Sequence, residues 1–245
     1  AYMACKIALE HLTPVVLLTD AFIANGSAAW RLPDISTLPD INPHFAPADQ
    51  KYKYSPYHRD KKTDVRYWAI PGNEGFEHIL GGLEKDGETG AISTEPDNHD
   101  LMDKLRFSKV KKIPVPDLEV LGDKDDAELL IVGFGSTYGH LYSAMEELRG
   151  KGRKVALAQF QYINPLPANT ADILLKYRKV VVAEQNLGQF AALLRIRLNH
   201  FAPYQYNQVK GQPFVVSDLV KGFESVLDSE ENPEHGATFE SRIIM

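Results

Sequence analysis

The strongest pattern in the chain is an alternation of apolar runs and helical periodicity between residues 127 and 201. Three short apolar runs, 129–133, 155–158 and 180–183, are each followed by a segment whose apolar positions lie three and four residues apart. That spacing is typical of an amphipathic helix. Strand and helix in regular alternation predict a parallel sheet with right-handed crossovers, and unbroken apolar runs indicate strands covered on both faces. We therefore expect an α/β fold, with an open parallel sheet and flanking helices.

The part of the chain before this region has a different pattern. A helix is predicted over 2–11, a buried strand over Val15–Leu18, and a second helix from His99 to about Lys111. Residues 26–75 contain too many prolines for long regular elements. Their tyrosines and Trp68 favour a packed surface, which is either a partner interface or a cover over the chain's own sheet.

A single strand at Val15–Leu18 cannot bury both of its faces. We therefore expect that the preceding part of an α/β domain is missing before Ala1; the alternative is that this strand joins the edge of the later sheet. The predicted division is a truncated domain over 1–112, a proline-containing linker over 113–124, a second domain over 125–228 and an acidic tail over 229–245. Ser217 is the predicted N-cap of the last helix.

Composition narrows the possible functions. The 245 residues are 44% apolar and 24% charged, with a net charge of -6, so no basic surface for nucleic acid is expected. No apolar run reaches the roughly 20 residues of a membrane span. Cys5 is the only cysteine, which excludes a cluster held by this chain's own thiolates. We expect Cys5 to be buried and the protein to be cytoplasmic.

The glycines after the first apolar run suggest a dinucleotide site. Gly133, Gly135 and Gly139 have the spacing G-x-G-x-x-x-G rather than G-x-G-x-x-G, and no acidic residue ends the next strand. We therefore favour a structural turn over a cofactor site. Ser136 or Thr137 is expected to cap the helix that follows.

A second candidate lies at the end of the third run, where Glu184, Gln185 and Asn186 follow the strand. Ligands often bind at that edge of an α/β sheet, but a helix cap by Asn186 is the favoured interpretation. No catalytic residue is expected in this chain; the remaining candidates are Glu77 and His78, and His99 is a third titratable group. For both histidines a hydrogen-bonded loop role is favoured, because no second ligand lies at metal-binding spacing apart from Glu77 beside His78.

Many short motifs follow one another in a distinctive order. The first are Val16–Asp20, Ile23–Ser27, Pro71–Gly72, Glu77–His78, Gly81–Lys85, Thr89–Gly90, Pro96–His99 and Arg106–Val110. The later ones are Gly133–Gly139, Pro165–Pro167, Glu184–Asn186 and Gly211–Phe214. Together they resemble the alpha subunits of 2-oxoacid:ferredoxin oxidoreductases, most of all those acting on 2-oxoglutarate. The resemblance covers nearly the whole chain.

This resemblance implies an enzyme that decarboxylates a 2-oxoacid on thiamine diphosphate, passes electrons through an iron–sulfur cluster to ferredoxin and transfers the acyl group to coenzyme A. It implies that residues 1–112 end a pyrimidine-binding domain and that 125–228 form a domain like the C-terminal domain of transketolase. Thiamine diphosphate, magnesium and the cluster would then be bound mostly or wholly outside this chain. A beta subunit and a second alpha subunit would be its partners. The isolated chain is expected to be inactive and to act as a scaffold.

Two other hypotheses stay open from the sequence. One is a component of a transketolase-like or pyruvate dehydrogenase-like thiamine enzyme, which would share the C-terminal fold. The other is a free-standing nucleotide-binding domain that uses residues 133–139. The choice between 2-oxoglutarate and pyruvate cannot be read from these residues.

Overall fold

The structure, a computed structural model, describes residues 1–230 and 243–244. The chain divides into two compact units. The first unit consists of Ala1–Leu17 with Ala28–Pro114, and the second of Leu18–Ser27 with Val115–Met245. Most of the predicted acidic tail, 231–242 and 245, lies outside the described residues.

Helices and strands are concentrated in the second unit. The α-helices are α1 (Tyr2–His11), α2 (Ala21–Asn25), α3 (Pro96–Lys111), α4 (Tyr138–Gly150), α5 (Thr170–Leu174), α6 (Gln189–Arg197) and α7 (Val216–Asp228). The strands are β1 (Val120–Gly122), β2 (Leu129–Phe134), β3 (Val155–Phe160), β4 (Val180–Glu184), β5 (Tyr204–Asn207) and β6 (Ile243–Ile244). Short 3-10 helices lie at Ile35–Thr37, Ala48–Gln50 and Gly135–Thr137.

The strands form one open sheet in the order β1-β3-β2-β4-β5-β6. Neighbouring strands from β3 to β6 are parallel, with Ile131 of β2 opposite Leu157 of β3 and Val181 of β4. This confirms the predicted α/β fold. The sheet is mixed rather than purely parallel, because β1 pairs antiparallel with β3. β1 and the buried Leu118 lie within 113–124, so the predicted linker contributes to the sheet and the core.

The two faces of the sheet have separate cores, as the unbroken apolar runs predict. Leu129 and Ile131 point to one face, where they pack with α4 and α7. Leu130 and Val132 point to the other face, where they pack with α5 and α6. Because side chains alternate along a strand, each apolar run supplies both cores at once.

The N-terminal predictions are partly wrong. α1 forms as expected, but Cys5 is exposed rather than buried. Val15–Leu18 is not a strand, and Val16 is 80% exposed. The run is extended but pairs with no strand of the described chain, so the backbone ladder that would define a β-strand is absent.

Helix ends also differ from the predictions. α7 begins at Val216 with Val215 as its N-cap residue, so Ser217 lies inside the helix and caps nothing. α5 is a short helix of five residues. α3 begins at Pro96, which suits the first turn of a helix because proline lacks the N–H that would be unpaired there. Met102 of α3 is buried, whereas Leu101 is exposed.

The proline-rich part of the first unit has no long regular element, as predicted. Aspartate-capped turns stabilise it: Asp60 accepts hydrogen bonds from the N–H groups of Lys62 and Thr63, and Asp86 does the same for Glu88 and Thr89. Such side-chain contacts replace the ladder of a regular strand.

Some aromatic residues of this segment contact their own unit. The indole of Trp68 donates a hydrogen bond to the carbonyl of Leu9, and the Tyr54 hydroxyl donates to the carbonyl of Tyr67. Tyr52 is exposed. The segment therefore combines internal packing with free aromatic surface.

Candidate functional site

The predicted polar and glycine motifs come together at one edge of the sheet. β2 and β4 are neighbours in the sheet. The connection after β2 leads to β3 on one side, whereas the connection after β4 leads to β5 on the other side. The carboxyl ends of β2 and β4 therefore flank a topological switch point, where open α/β sheets usually bind ligands. The glycine motif 133–139 follows β2, and Glu184–Asn186 follows β4.

Packing and backbone conformation account for two of the three glycines at this edge. A Cβ at Gly133 would lie 2.2 Å from Cδ1 of Leu141 and 2.9 Å from Oε1 of Gln159. Gly135 has a φ of 64°, which favours glycine, and has open space around it. A Cβ at Gly139 would meet nothing within 4 Å. Two of the three glycines thus have a structural reason that involves no ligand.

The turn after β2 is capped differently from the prediction. Thr137 occupies the N-cap position of α4, but its side chain makes no cap hydrogen bond. Its hydroxyl donates instead to the carbonyl of Phe134, at 2.8 Å, across the 3-10 turn. Gln159 ties the same turn to the next strand, because its amide donates to the carbonyl of Gly135.

Glu184 is the best-buried polar residue of the site, with 0% exposure. Its carboxylate accepts hydrogen bonds from the N–H groups of Phe190 and Ala191, at 2.8 and 2.9 Å. These are first-turn N–H groups of α6, which have no partner within the helix. A carboxylate there also interacts favourably with the helix dipole. Glu184 is therefore a buried helix cap.

Asn186 caps the same helix, as predicted. Its side-chain oxygen accepts from the N–H groups of Gly188 and Gln189, at 2.7 and 3.0 Å. The Gln185 amide donates to the carbonyl of Gln212. Phe134 and Phe190 pack ring to ring at 5.0 Å beside these caps. The switch point is thus filled by groups of the chain itself.

Exposed apolar side chains surround this edge. Tyr138 and Tyr142 at the start of α4 are both partly exposed, with ring centroids 5.9 Å apart. Phe22 of α2 lies 6.0 Å from the ring of His140, and Leu187 is 75% exposed in the loop after β4. Exposed apolar groups in one area are typical of a surface that binds another protein.

The catalytic candidates Glu77 and His78 make only local contacts. Glu77 accepts a hydrogen bond from the N–H of Gly75, and the imidazole Nδ1 of His78 lies 2.8 Å from the carbonyl of Phe76. The His78 ring also meets the ring of Tyr54 at 5.1 Å. Both residues belong to the first unit.

His99 has a partner that the sequence analysis missed. Its Nδ1 lies 2.8 Å from Glu84, which also accepts a hydrogen bond from Arg106 at 3.1 Å. The Arg106 hydrogen bond, followed by the one from His99, lowers the pKa of Glu84. The sequence feature that could have indicated a shared partner is the spacing of His99 and Arg106, which lie seven residues apart on one helix. Within residues 1–230, no three His, Cys, Asp or Glu side chains are grouped to hold a metal.

The fold identifies the second unit as an α/β domain with an open, mostly parallel sheet. Residues 127–226 match the family model of the pyruvate:ferredoxin oxidoreductase core domain II. These residues belong to that domain family, and the predicted resemblance to alpha subunits of 2-oxoacid:ferredoxin oxidoreductases is confirmed.

Two curated relatives match most of the chain. It is 46% identical over 220 residues to 2-oxoglutarate oxidoreductase subunit KorA of Mycobacterium tuberculosis, a match that covers 89% of this chain and 33% of that protein. It is 34% identical over 190 residues to 2-oxoglutarate synthase subunit KorA of Methanocaldococcus jannaschii, covering 76% of this chain and 49% of the relative. The chain therefore spans between a third and a half of the length of these two relatives.

A solved structure is also similar. The 2-oxoglutarate:ferredoxin oxidoreductase from Magnetococcus marinus, with 2-oxoglutarate, coenzyme A and succinyl-CoA bound, matches with a TM-score of 0.73 and 29% identity. The match covers 80% of this chain and 34% of that chain. In the described part of the protein, no helix is both long and apolar enough to span a membrane.

Proposed function

We propose that this chain is the alpha-subunit portion of an enzyme that oxidatively decarboxylates 2-oxoglutarate, or a similar 2-oxoacid, to acyl-CoA. Ferredoxin is the electron acceptor, and the enzyme is cytoplasmic. The observation that carries the proposal is the 46% identity to a 2-oxoglutarate oxidoreductase subunit. The similar Magnetococcus structure, which holds 2-oxoglutarate and coenzyme A, supports this substrate class.

Within that enzyme, the chain serves mainly as a scaffold and a subunit contact. Residues 1–112 form the C-terminal part of a pyrimidine-binding domain, and 125–228 form the transketolase C-terminal-like domain. The support is the sheet edge, where Glu184 and Asn186 cap the chain's own helix rather than face a ligand. The exposed Tyr138, Tyr142 and Leu187 around that edge fit a protein partner, which we take to be the beta subunit.

The residues present do not fit the enzyme's metal groups. An iron–sulfur cluster needs several thiolates, and Cys5 is the only cysteine. A magnesium ion bound with thiamine diphosphate needs grouped oxygen ligands, and none of the described acidic residues form such a group. This supports the proposal that other parts of the assembly bind thiamine diphosphate, magnesium and the cluster, and that this chain contributes no catalytic residue.

Activity of the assembled enzyme tests the proposed reaction. The longer alpha subunit that contains this chain is co-expressed with its beta partner, and viologen reduction is followed with coenzyme A present. We expect reduction that depends on 2-oxoglutarate and is slower with pyruvate. An intact complex that contains thiamine diphosphate and a cluster but reduces viologen with neither 2-oxoacid would contradict the proposal.

A pair of variants tests the proposed contact surface. Leu187→Glu places a charge at the carboxyl edge of the sheet, and we expect it to lower co-purification of the beta partner. Leu175→Glu is the matched control, since Leu175 is also exposed but precedes β4 at the opposite edge. Equal recovery of the beta partner with both variants would rule out a contact at the carboxyl edge.

Residues 21–75 are proposed to add partner contacts, including contacts between two copies of the alpha subunit. Light scattering with size exclusion over a dilution series should then show association of the chain at micromolar concentration. A monomer at every concentration, with residues 21–75 strongly protected from hydrogen exchange, would show that this segment packs only on its own chain.

A further inference from the structure

A cavity of about 370 Å³ in the first unit is lined mainly by cationic side chains. The cations are Arg59, Arg66, Lys85, Arg106 and Lys109, and the acidic residue among them is Glu84. Its volume lies in the range of sites for small ligands, roughly 300–1,000 Å³. We call it the cationic cavity.

Two of its arginines face each other across a short antiparallel bridge. Arg59 pairs with Arg66, on either side of the turn that Asp60 stabilises. The Arg59 guanidinium donates through Nη1 to the carbonyl of Asp64, but its Nε is buried without a hydrogen-bond acceptor among the described residues. Arg66 lies over the ring of Tyr57 at 4.8 Å. Like charges directly opposite each other destabilise a strand pair.

Helix α3 adds two more cations from one face. Arg106 and Lys109 follow Met102 by one and two helical turns, so all three line the cavity. Lys109 Nζ donates to the carbonyl of Leu12 at 2.6 Å. Burial first, and then the charges of Arg59, Arg66 and Arg106, lower the pKa of Lys109 to about 8. Lys85, which is only 3% exposed, lines the cavity from the loop before α3.

Few carboxylates offset the positive charge of the cavity, although the charge of Asp64 acts on Arg59. Arg106 forms ion pairs with Glu84 at 3.1 Å and with Asp103 at 3.5 Å. The other four cations form no ion pair in the described chain, because no carboxylate oxygen lies within 4.0 Å of their nitrogen atoms. Bringing such groups together and burying them is unfavourable unless an anion pairs with them.

We propose that the cationic cavity binds a multivalent phosphate-bearing anion. An arginine guanidinium can donate two parallel hydrogen bonds to the oxygens of one phosphate group, and a lysine ammonium adds a compact positive charge. A phosphate group offers three or four oxygens to these converging donors, whereas a carboxylate offers two. The free Nε–H of Arg59 supplies a buried donor that no protein group uses.

Binding to the full 245-residue chain is measured by calorimetry and by thermal shift at fixed ionic strength. The probes are inorganic phosphate, pyrophosphate and AMP, with succinate as the dicarboxylate control. We expect pyrophosphate to stabilise the chain and succinate to bind at least tenfold more weakly. Tighter binding of AMP than of phosphate would indicate a nucleotide as the source of the phosphate group, and the reverse would indicate a free anion.

The variants are Arg66→Gln and Lys109→Gln, with Lys111→Gln as the matched control on the same helix. Each cavity variant should raise the dissociation constant for pyrophosphate at least fivefold. Each should also keep or raise the melting temperature of the unliganded chain, because one repelling charge is removed. Lys111, which does not line the cavity, should have no effect. Loss of binding only in variants that melt at a lower temperature would indicate a structural role and overturn the proposal.

The pH dependence gives an independent check. Lys109 faces Arg106 on α3, Arg59 and Arg66 on the bridge, Glu84 and Lys85 on the loop, and His11 on α1. Pyrophosphate affinity should fall as pH rises through about 8 in the wild type and stay flatter in Lys109→Gln. Pyrophosphate shifts equal to those of succinate, or equal in all variants, would show that the cavity binds no phosphate.

Discussion

The two units of this chain are stabilised by different interactions. In the second unit, two apolar cores lie on the faces of one sheet, and most of their residues are fully buried. In the first unit, the buried apolar side chains are those of Val65, Met102 and Ile113. Aspartate-capped turns and ion pairs supply much of the remaining stabilisation of the first unit.

This difference shows which unit can fold from its own sequence. A doubly covered sheet buries enough apolar surface to offset the entropy of ordering its chain. The first unit leaves large apolar residues such as Trp30, Leu32 and Ile79 exposed. We infer that the second unit is the stable one, and that the first depends more on partner surfaces or ligands.

The largest expected effect is the loss of a core side chain in the second unit. Phe223 of α7 has 0% exposure and contacts the ring of Tyr206. Phe223→Ala should lower the free energy of unfolding by about 3–5 kcal/mol, because burial is lost and a cavity remains. Urea denaturation measures it, with Phe107→Ala as control, since Phe107 is exposed in the first unit. An equal loss of unfolding free energy in both variants would contradict the proposed difference in stability between the two units.

The turn after β2 offers the next test. Gly133→Val should destabilise the second unit by about 2–3 kcal/mol, because the new atoms overlap the buried Leu141 and Gln159. Gly135→Asn is the matched control, since asparagine tolerates the left-handed backbone and the space is open. A Gly133→Val protein that melts like the wild type would contradict the packing argument.

A smaller effect is expected at the buried cap. Glu184→Gln keeps one acceptor oxygen, so one of the two N–H groups at Phe190 and Ala191 loses its partner. The expected loss is about 1–2 kcal/mol in urea denaturation. Hydrogen exchange should locate it at the start of α6, and unchanged exchange there would count against the cap.

The smallest effect is a pH dependence in the first unit. Burial and neighbouring cations lower the pKa of Lys109 from 10.5 to about 8 in the folded chain. Between these values the unfolded chain binds more protons, so the free energy of unfolding should rise with pH across this window. Below pH 8 the unfavourable charge is fully present. Lys109→Met should flatten the rise and stabilise the chain at pH 7, whereas Lys111→Met should do neither. A wild-type curve that falls between pH 8 and 10 would refute this.

The sheet was predictable where sequence and physics agree locally. β2, β3 and β4 are unbroken apolar runs, and each is long enough to cross a core. β5 was missed because its tyrosines alternate with Gln205, a polar residue that is nevertheless buried. Val15–Leu18 was wrongly predicted for the opposite reason: apolar residues alone do not make a strand when no neighbour pairs with them.

The functional sites were also predictable only where their residues are close in sequence. Asn186 could be predicted as a cap because a cap lies within a few residues of its helix. The cationic cavity could not, because Arg59, Lys85 and Lys109 come from distant parts of the chain. The sequence shows only two parts of the cavity locally: Arg59 and Arg66 on either side of a turn, and Arg106 and Lys109 on one face of a helix.

The division of the chain has a consequence for its evolution and engineering. Residues 18–27, with α2, belong to the second unit although their neighbours on both sides belong to the first. A single recombination point between Pro114 and Val115 would therefore exchange the sheet but leave the original α2 behind. Phe22 would then meet a foreign residue where His140 now lies. Functional chimeras of such subunits should need matched residues at 18–27, so these two distant stretches of the gene are expected to be inherited together.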